Sequence, residues 1–239
     1  LPPPTRQQAE YDPRPVGFET LGLEPSLIEG IRVRGFTSTT PIQSAVIPIV
    51  MDGSDLIGCA DTGTGKTAAF LLPILNRMLK ARATAPEERG FTRVLILAPT
   101  RELCSQIEDD VQGFTYHTDL TSIAVYGGTP MDPQERALKS GVDIVAATPG
   151  RLMDHMRNGA VSFDLYRDIH KGIRGELFAL VTDAGRLDPA DDCGAASLVD
   201  PVQGLRVAAA GALLRAVVDH QQHGAGLHRA HHLVEELAG

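Results

Sequence analysis

Residues 60–67 read Ala60-Asp61-Thr62-Gly63-Thr64-Gly65-Lys66-Thr67, between an apolar run, Asp55-Leu-Ile-Gly-Cys59, and a helical pattern opening at Thr67. Gly63 and Gly65 permit a tight loop whose backbone N–H groups converge on phosphate oxygens. The helix that follows adds the positive end of its dipole. A lysine at position 66 reaches the β- and γ-phosphates, and the Thr67 hydroxyl can sit on Mg²⁺. Thr62 and Thr64 complete the loop. Ala60 stands where the general phosphate-loop pattern has its first glycine. The bland reading is a glycine turn before a helix, but the apolar strand before it and Gly-Lys-Thr within it favour a nucleoside triphosphate.

Outward from this loop, short apolar runs alternate with helical patterns. Arg93-Val-Leu-Ile-Leu-Ala98 leads into 101–112, Thr121-Ser-Ile-Ala-Val-Tyr126 into 133–138, and Val142-Asp-Ile-Val-Ala-Ala147 into 150–157. Continuous apolar strands separated by helices predict an α/β fold with a parallel sheet covered on both faces. Ligands of such sheets bind at the carboxyl ends of the strands. Upstream, the spacing predicts a helix over 25–33 and a second apolar helix reaching the turn at Asp52-Gly53. Five prolines among the first 16 residues read as a flexible lead-in.

The chain has 239 residues, 43% apolar and 22% charged, an ordinary globular composition that excludes disorder, collagen and coiled coil. No apolar run approaches the ~20 residues of a membrane span. The first residues lack the basic-then-apolar layout of a leader. Three widely spaced cysteines form no disulfide framework, so the expectation is a reduced, soluble, cytoplasmic protein. A net charge of −8 excludes a grip on nucleic acid by bulk charge, and any such contact must be local.

Gly35-Phe-Thr-Ser-Thr-Thr-Pro-Ile-Gln43, Pro99-Thr-Arg-Glu-Leu103, Tyr126-Gly-Gly128 and Thr148-Pro-Gly-Arg-Leu152 stand in order around the phosphate loop. From Phe18 to about residue 165 the chain resembles the first core domain of the DEAD-box ATP-dependent RNA helicases. The resemblance implies a three-layer RecA-like sheet of the P-loop NTPase kind over 17–190. It implies ATP and Mg²⁺ as ligands, with Gln43 reading adenine and Phe36 and the isolated Phe18 packing beside the base. A side-chain amide suits adenine's N6/N7 edge, although Phe18 taken alone reads as a core residue. Lys66 and Thr67 carry the catalytic phosphate contacts and Thr67 the Mg²⁺. Pro99, Thr100, Arg101, Gly128, Thr148, Pro149, Gly150 and Arg151 are the implied RNA-backbone contacts. Their hydroxyls, amides and guanidinium groups suit phosphate and ribose oxygens, so binding would be sequence-independent. Thr39 departs from the proline usual in the family.

The Asp-Glu-Ala-Asp tetrad that the family carries next does not occur in this sequence. The nearest candidate is Phe178-Ala-Leu-Val-Thr-Asp183, whose aspartate is followed by Ala184 rather than a glutamate. No Ser-Ala-Thr motif and no second RecA-like domain follow within the 239 residues, so unwinding would require a second domain. Residues 179–239 contain no Phe, Tyr, Met, Ile, Asn or Lys, and 191–239 form an atypical, alanine-rich tail expected to be helical or poorly ordered. GC-rich DNA read out of frame has this composition, and so does a genuine tail from a GC-rich genome; the DNA around codon 165 separates the two. His228 and His232 have a zinc-compatible spacing but no completing ligand. The first functional reading is an ATP-dependent RNA helicase of DEAD-box type. The alternative is a non-hydrolysing ATP- and RNA-binding derivative of one.

Overall fold

The computed structural model describes residues 11–53, 56–60, 62–84 and 92–161, and the backbone strands at 6–7, 176–179 and 206–210. The chain divides into two compact units. One comprises residues 1–88, 110–119 and 182–218, the other 89–109, 120–181 and 219–239.

In the first unit a single 3-10 turn at Phe18–Leu21 precedes helices α1 (Pro25–Val33) and α2 (Pro41–Met51). Both helices open on a proline, whose missing N–H costs nothing in a first turn. Strand β2 (Leu56–Cys59) leads through the glycine loop into helix α3 (Lys66–Thr84). Ile42, Ala45, Val46 and Val50 of α2 form an apolar cluster with Leu56, Ala60 and Ala69, which fixes the ground on which the loop stands. The Asn76 side-chain oxygen, on α3, accepts the Glu24 N–H at 2.8 Å and so ties the start of α1 to that helix.

Strand β2 lies in a three-stranded antiparallel sheet with β1 (Arg6–Gln7) and β7 (Arg206–Ala210), in the order β1-β7-β2. Leu56 pairs with Ala209 and Cys59 with Arg206. The sequence pattern allows a helix over 207–218; residues 207–210 instead form a strand. The physical reason is that the edges of β1 and β2 carry backbone N–H and C=O groups that need partners, and a ladder supplies them. The remainder of that stretch, and 227–237, where the sequence pattern also allows a helix, lie outside the described residues. Arg6–Gln7 likewise forms a paired strand within the stretch expected as a flexible lead-in.

The second unit holds the predicted parallel sheet. Its strands are β3 (Val94–Leu97), β4 (Ser122–Val125), β5 (Ile144–Ala147) and β6 (Glu176–Ala179), in the order β4-β5-β3-β6. Every pairing is parallel, with Val94 opposite both Ile144 and Glu176 and Ser122 opposite Ile144. Helices α4 (Arg101–Phe114), α5 (Met131–Ser140) and α6 (Pro149–Arg157) follow β3, β4 and β5. Leu95, Leu97, Val125, Val145, Leu138 and Leu152 make the core between sheet and helices.

The amino-terminal edge of this sheet is stapled by buried Asp143. Its carboxylate accepts the N–H and the hydroxyl of Thr121, each at 2.9 Å, and its carbonyl accepts the N–H groups of Arg93 and Val94. Register set there places the turns after β3, β4 and β5 together at the opposite, carboxyl edge, where sheets of this kind bind ligands. Among the described residues no helix is long and apolar enough to cross a membrane.

Candidate nucleotide and nucleic-acid interface

The glycine loop of the first unit has the predicted backbone. Gly63 and Gly65 hold φ of +80° and +88°, a region that residues with a Cβ rarely enter. A Cβ on Gly65 would lie 2.4 Å from the Gln43 side-chain nitrogen, so that position excludes any other residue twice over. Thr62 and Gly63 are exposed, while Thr64, Gly65, Lys66 and Thr67 are half-buried at the head of α3. The Lys66 ammonium folds back to donate to the Ala60 carbonyl. These glycine-permitted turns stand at the head of a 19-residue helix, whose positive dipole end suits an anion.

Gln43 is 1% exposed and braces this loop from beneath. Its side-chain oxygen accepts the Thr40 N–H at 2.9 Å, and its nitrogen donates to the Gly65 carbonyl at 3.1 Å. The Thr40 hydroxyl donates to the Thr64 carbonyl at 2.7 Å. Segment 40–43 and the loop are therefore fastened by two hydrogen bonds, from Thr40 and from Gln43, with the third bracing the Gln43 amide within the segment. These bonds use one N–H and one lone pair of the Gln43 amide, leaving one of each for a further partner.

Thr39, where the family usually has proline, is 3% exposed and does what a proline cannot. Its N–H donates to the Val16 carbonyl at 2.9 Å, and its hydroxyl accepts the Val16 N–H at 2.9 Å. That hydroxyl also meets the Ser44 hydroxyl at 2.6 Å, and Ser44 donates to the Arg14 carbonyl at 2.8 Å. Phe18, two residues beyond, is 2% exposed and belongs to the core, as its isolated reading gave. Phe36 is 38% exposed, its ring centroid 6.0 Å from that of Phe114.

In the second unit the three remaining motifs occupy the carboxyl edge of the parallel sheet. Thr100 precedes α4, and its hydroxyl accepts the Leu103 N–H at 3.2 Å. Pro99 is half-buried and Arg101 exposed. Arg101 pairs with the Glu102 carboxylate at 2.6 Å. That hydrogen bond holds the Glu102 carboxyl below its ordinary value and raises the Arg101 guanidinium. Gly128 follows β4 with φ +87°, and a Cβ there would stand 3.8 Å from an Arg101 nitrogen. Thr148 caps α6, its N–H bonded to the Val125 carbonyl at 2.9 Å; Pro149 is buried at the first helical position, and Gly150 and Arg151 are half-buried.

Three residues that the motifs do not contain complete this edge: Thr129, Gln134 and His155. The Arg151 guanidinium donates to the Thr129 carbonyl at 3.0 Å and to the Gln134 side-chain oxygen at 3.3 Å. Buried His155 meets the same oxygen through Nε2 at 3.2 Å, while its Nδ1 is buried without a hydrogen-bond partner. Burial, then the neighbouring Arg151 charge, push the His155 imidazole below its usual value. The one signal for Gln134 is its place four residues before Leu138, on the buried face of α5. Asp183 and the tail histidines lie outside the described residues.

The DEAD/DEAH box helicase family profile matches residues 40–170. The ATP-dependent RNA helicase RhlB of Xanthomonas oryzae pv. oryzae is 44% identical over 146 residues, covering 61% of this chain and 25% of its own length. The DEAD-box ATP-dependent RNA helicase 52A of Oryza sativa subsp. japonica is 40% identical over 171 residues, covering 67% of this chain and 28% of its own. The crystal structure of a DEAD box protein from the hyperthermophile Methanococcus jannaschii superimposes with a TM-score of 0.57 at 31% identity, covering 69% of this chain and 41% of that one. The chain thus spans about a quarter to a third of the length of the curated relatives it matches.

Proposed function

From the premise that the chain belongs to the DEAD/DEAH box helicase family, shown over residues 40–170, we propose that it is the ATP-binding and RNA-gripping part of an ATP-dependent RNA helicase. The observation that carries this reading is the Gly63–Gly65 loop at the head of α3, braced by Gln43. In this reading the loop amides and Lys66 hold the triphosphate, with Lys66 leaving the Ala60 carbonyl for the β- and γ-phosphates. Thr67 is the residue that would hold Mg²⁺, which offsets charge on the phosphate oxygens. Gln43 turns its remaining N–H and lone pair to adenine, and Phe36 packs beside the base.

RNA backbone is the second ligand. Thr100, Thr148 and the Gly128 amide bond its oxygens, and Arg101 and Arg151 supply charge, with no group placed to read base edges. The exposed Arg101–Glu102 pair is easily exchanged for a phosphate, because surface ion pairs are weak. A reducing, cytoplasmic setting belongs to the same proposal. It is supported by buried, unbridged Cys104, whose thiol burial pushes up to about 12. Hydrolysis and RNA remodelling belong to it as well, with unwinding requiring a second RecA-like domain and Asp183 as the candidate carboxylate near the metal.

A nucleotide titration, paired with steady-state ATPase with and without single-stranded RNA, tests the reading. Lys66→Ala should weaken ATP binding about tenfold or more, the loss expected of a charge-assisted hydrogen bond. Gln43→Ala should weaken binding and erase the preference for ATP over GTP. Unchanged ATP affinity in the lysine variant would remove the phosphate assignment, and retained discrimination in the glutamine variant would remove the adenine one.

A further inference from the structure

Gln134 lies on α5, outside every motif, and is 6% exposed. Its nitrogen donates to the Tyr126 carbonyl at 3.1 Å and to the Thr129 hydroxyl at 2.7 Å. Its oxygen receives Arg151 at 3.3 Å and stands 3.2 Å from His155 Nε2. A glutamine amide has two N–H donors and two lone pairs; here both donors and one lone pair are engaged, and the other lone pair faces His155 Nε2. The donor side holds the glycine loop from both ends, at 126 and 129. The acceptor side holds α6 one and two turns in. Glutamate would lose the donors, leucine would lose everything, and asparagine is one methylene short.

We propose that Gln134 is the positioning residue that sets the Gly127–Gly128 loop and the amino-terminal turn of α6 in one fixed register, so that both can grip the same stretch of RNA backbone. The proposal rests on the RNA-binding reading above. It does not make Gln134 a ligand contact: the side chain is buried, and it acts through Arg151, Thr129 and the Tyr126 carbonyl.

The test uses the whole chain carrying Gln134→Met, which keeps volume but no hydrogen-bond capacity. Thr129→Val is the milder variant, removing a single partner should the first fail to fold. Three quantities are read: amide exchange over 126–129 and 148–152 without RNA, anisotropy of a fluorescent oligouridylate, and binding of a fluorescent ATP analogue. Gln134→Met should speed exchange in both segments and weaken RNA about five- to tenfold, the consequence of losing hydrogen bonds to a charged group. Thr129→Val should weaken RNA about two- to fivefold, on the scale of the two neutral hydrogen bonds its hydroxyl makes, from Gln134 and to the Tyr126 carbonyl. Nucleotide affinity should hold in both variants.

Unchanged exchange overturns the positioning role. Faster exchange with unchanged RNA affinity overturns its consequence. A joint fall in RNA affinity, nucleotide affinity and unfolding midpoint overturns it in favour of a merely structural glutamine. If the unaltered chain binds no oligouridylate, the RNA half of the proposed function falls and takes this inference with it. The exchange data, taken without RNA, still separate that failure from a failure of Gln134 to hold the loop.

Discussion

Gln43 and Gln134 show how differently one side chain can be legible. Gln43 stands in a spaced motif, so the sequence singles it out, but as an adenine contact; its hydrogen bond to the glycine loop is visible only in the fold. Gln134 has no such company, because spacing marks an inward face but does not say which polar residue will find four partners there. His155 was hidden for the same reason, and its burial has a measurable consequence. The folded state holds the imidazole below its reference value of about 6.5, so the unfolded chain takes up the proton first. Stability from the neutral ring is present above about pH 6.5 and lost as pH falls from there towards the folded-state value. Urea midpoints between pH 7.5 and 5.5 should fall more steeply for the unaltered protein than for His155→Gln. Equal slopes would show that this histidine is not held neutral.

Among the elements, the helices matched the periodicity closely because their starts are punctuated: Pro25, Pro41 and Pro149 each open one. Strands β3, β4 and β5 of the parallel sheet were legible as apolar runs, whereas β6, which opens on Glu176, was not among them. The partner of β2 was not, since an antiparallel ladder to residues 206–210 leaves no mark in an Ala-Val stretch that also suits a helix. Close approach between helices was equally invisible. Gly30 sits on α1 where an added Cβ would fall 2.3 Å from the Phe114 carbonyl oxygen, a backbone atom that cannot step aside. The Arg34 guanidinium, paired with Asp110, lies 5.1 Å over the Phe114 ring and holds the same contact. Gly30→Ala should therefore destabilise by about 1–3 kcal/mol from overpacking, despite the 0.5–1 kcal/mol that alanine ordinarily adds within a helix. A denaturant midpoint equal to or above that of the unaltered protein would contradict this packing.

For the whole molecule, charge sets the expectation. With a net charge of −8, the proposed RNA grip would rest on two arginines rather than on a field, so the slope of log affinity against log salt should be shallow. Two phosphates neutralised on a single strand give about −1.4. A slope several times steeper, measured with an oligouridylate between 50 and 200 mM salt, would mean a cationic surface elsewhere. The composition change after Phe178 was plain in the sequence, but its alanine-rich stretches suited helix and strand alike. Near the other end, the buried hydroxyls of Thr39 and Ser44 fasten the polypeptide at Arg14–Val16 to the start of the segment that carries Gln43. Trimming the chain at residue 17 would strip those hydroxyls of the Arg14 and Val16 carbonyls, at about 1–3 kcal/mol for each buried polar group left unanswered. A shortened version meant to keep the Gln43 segment in place should be cut before Asp12.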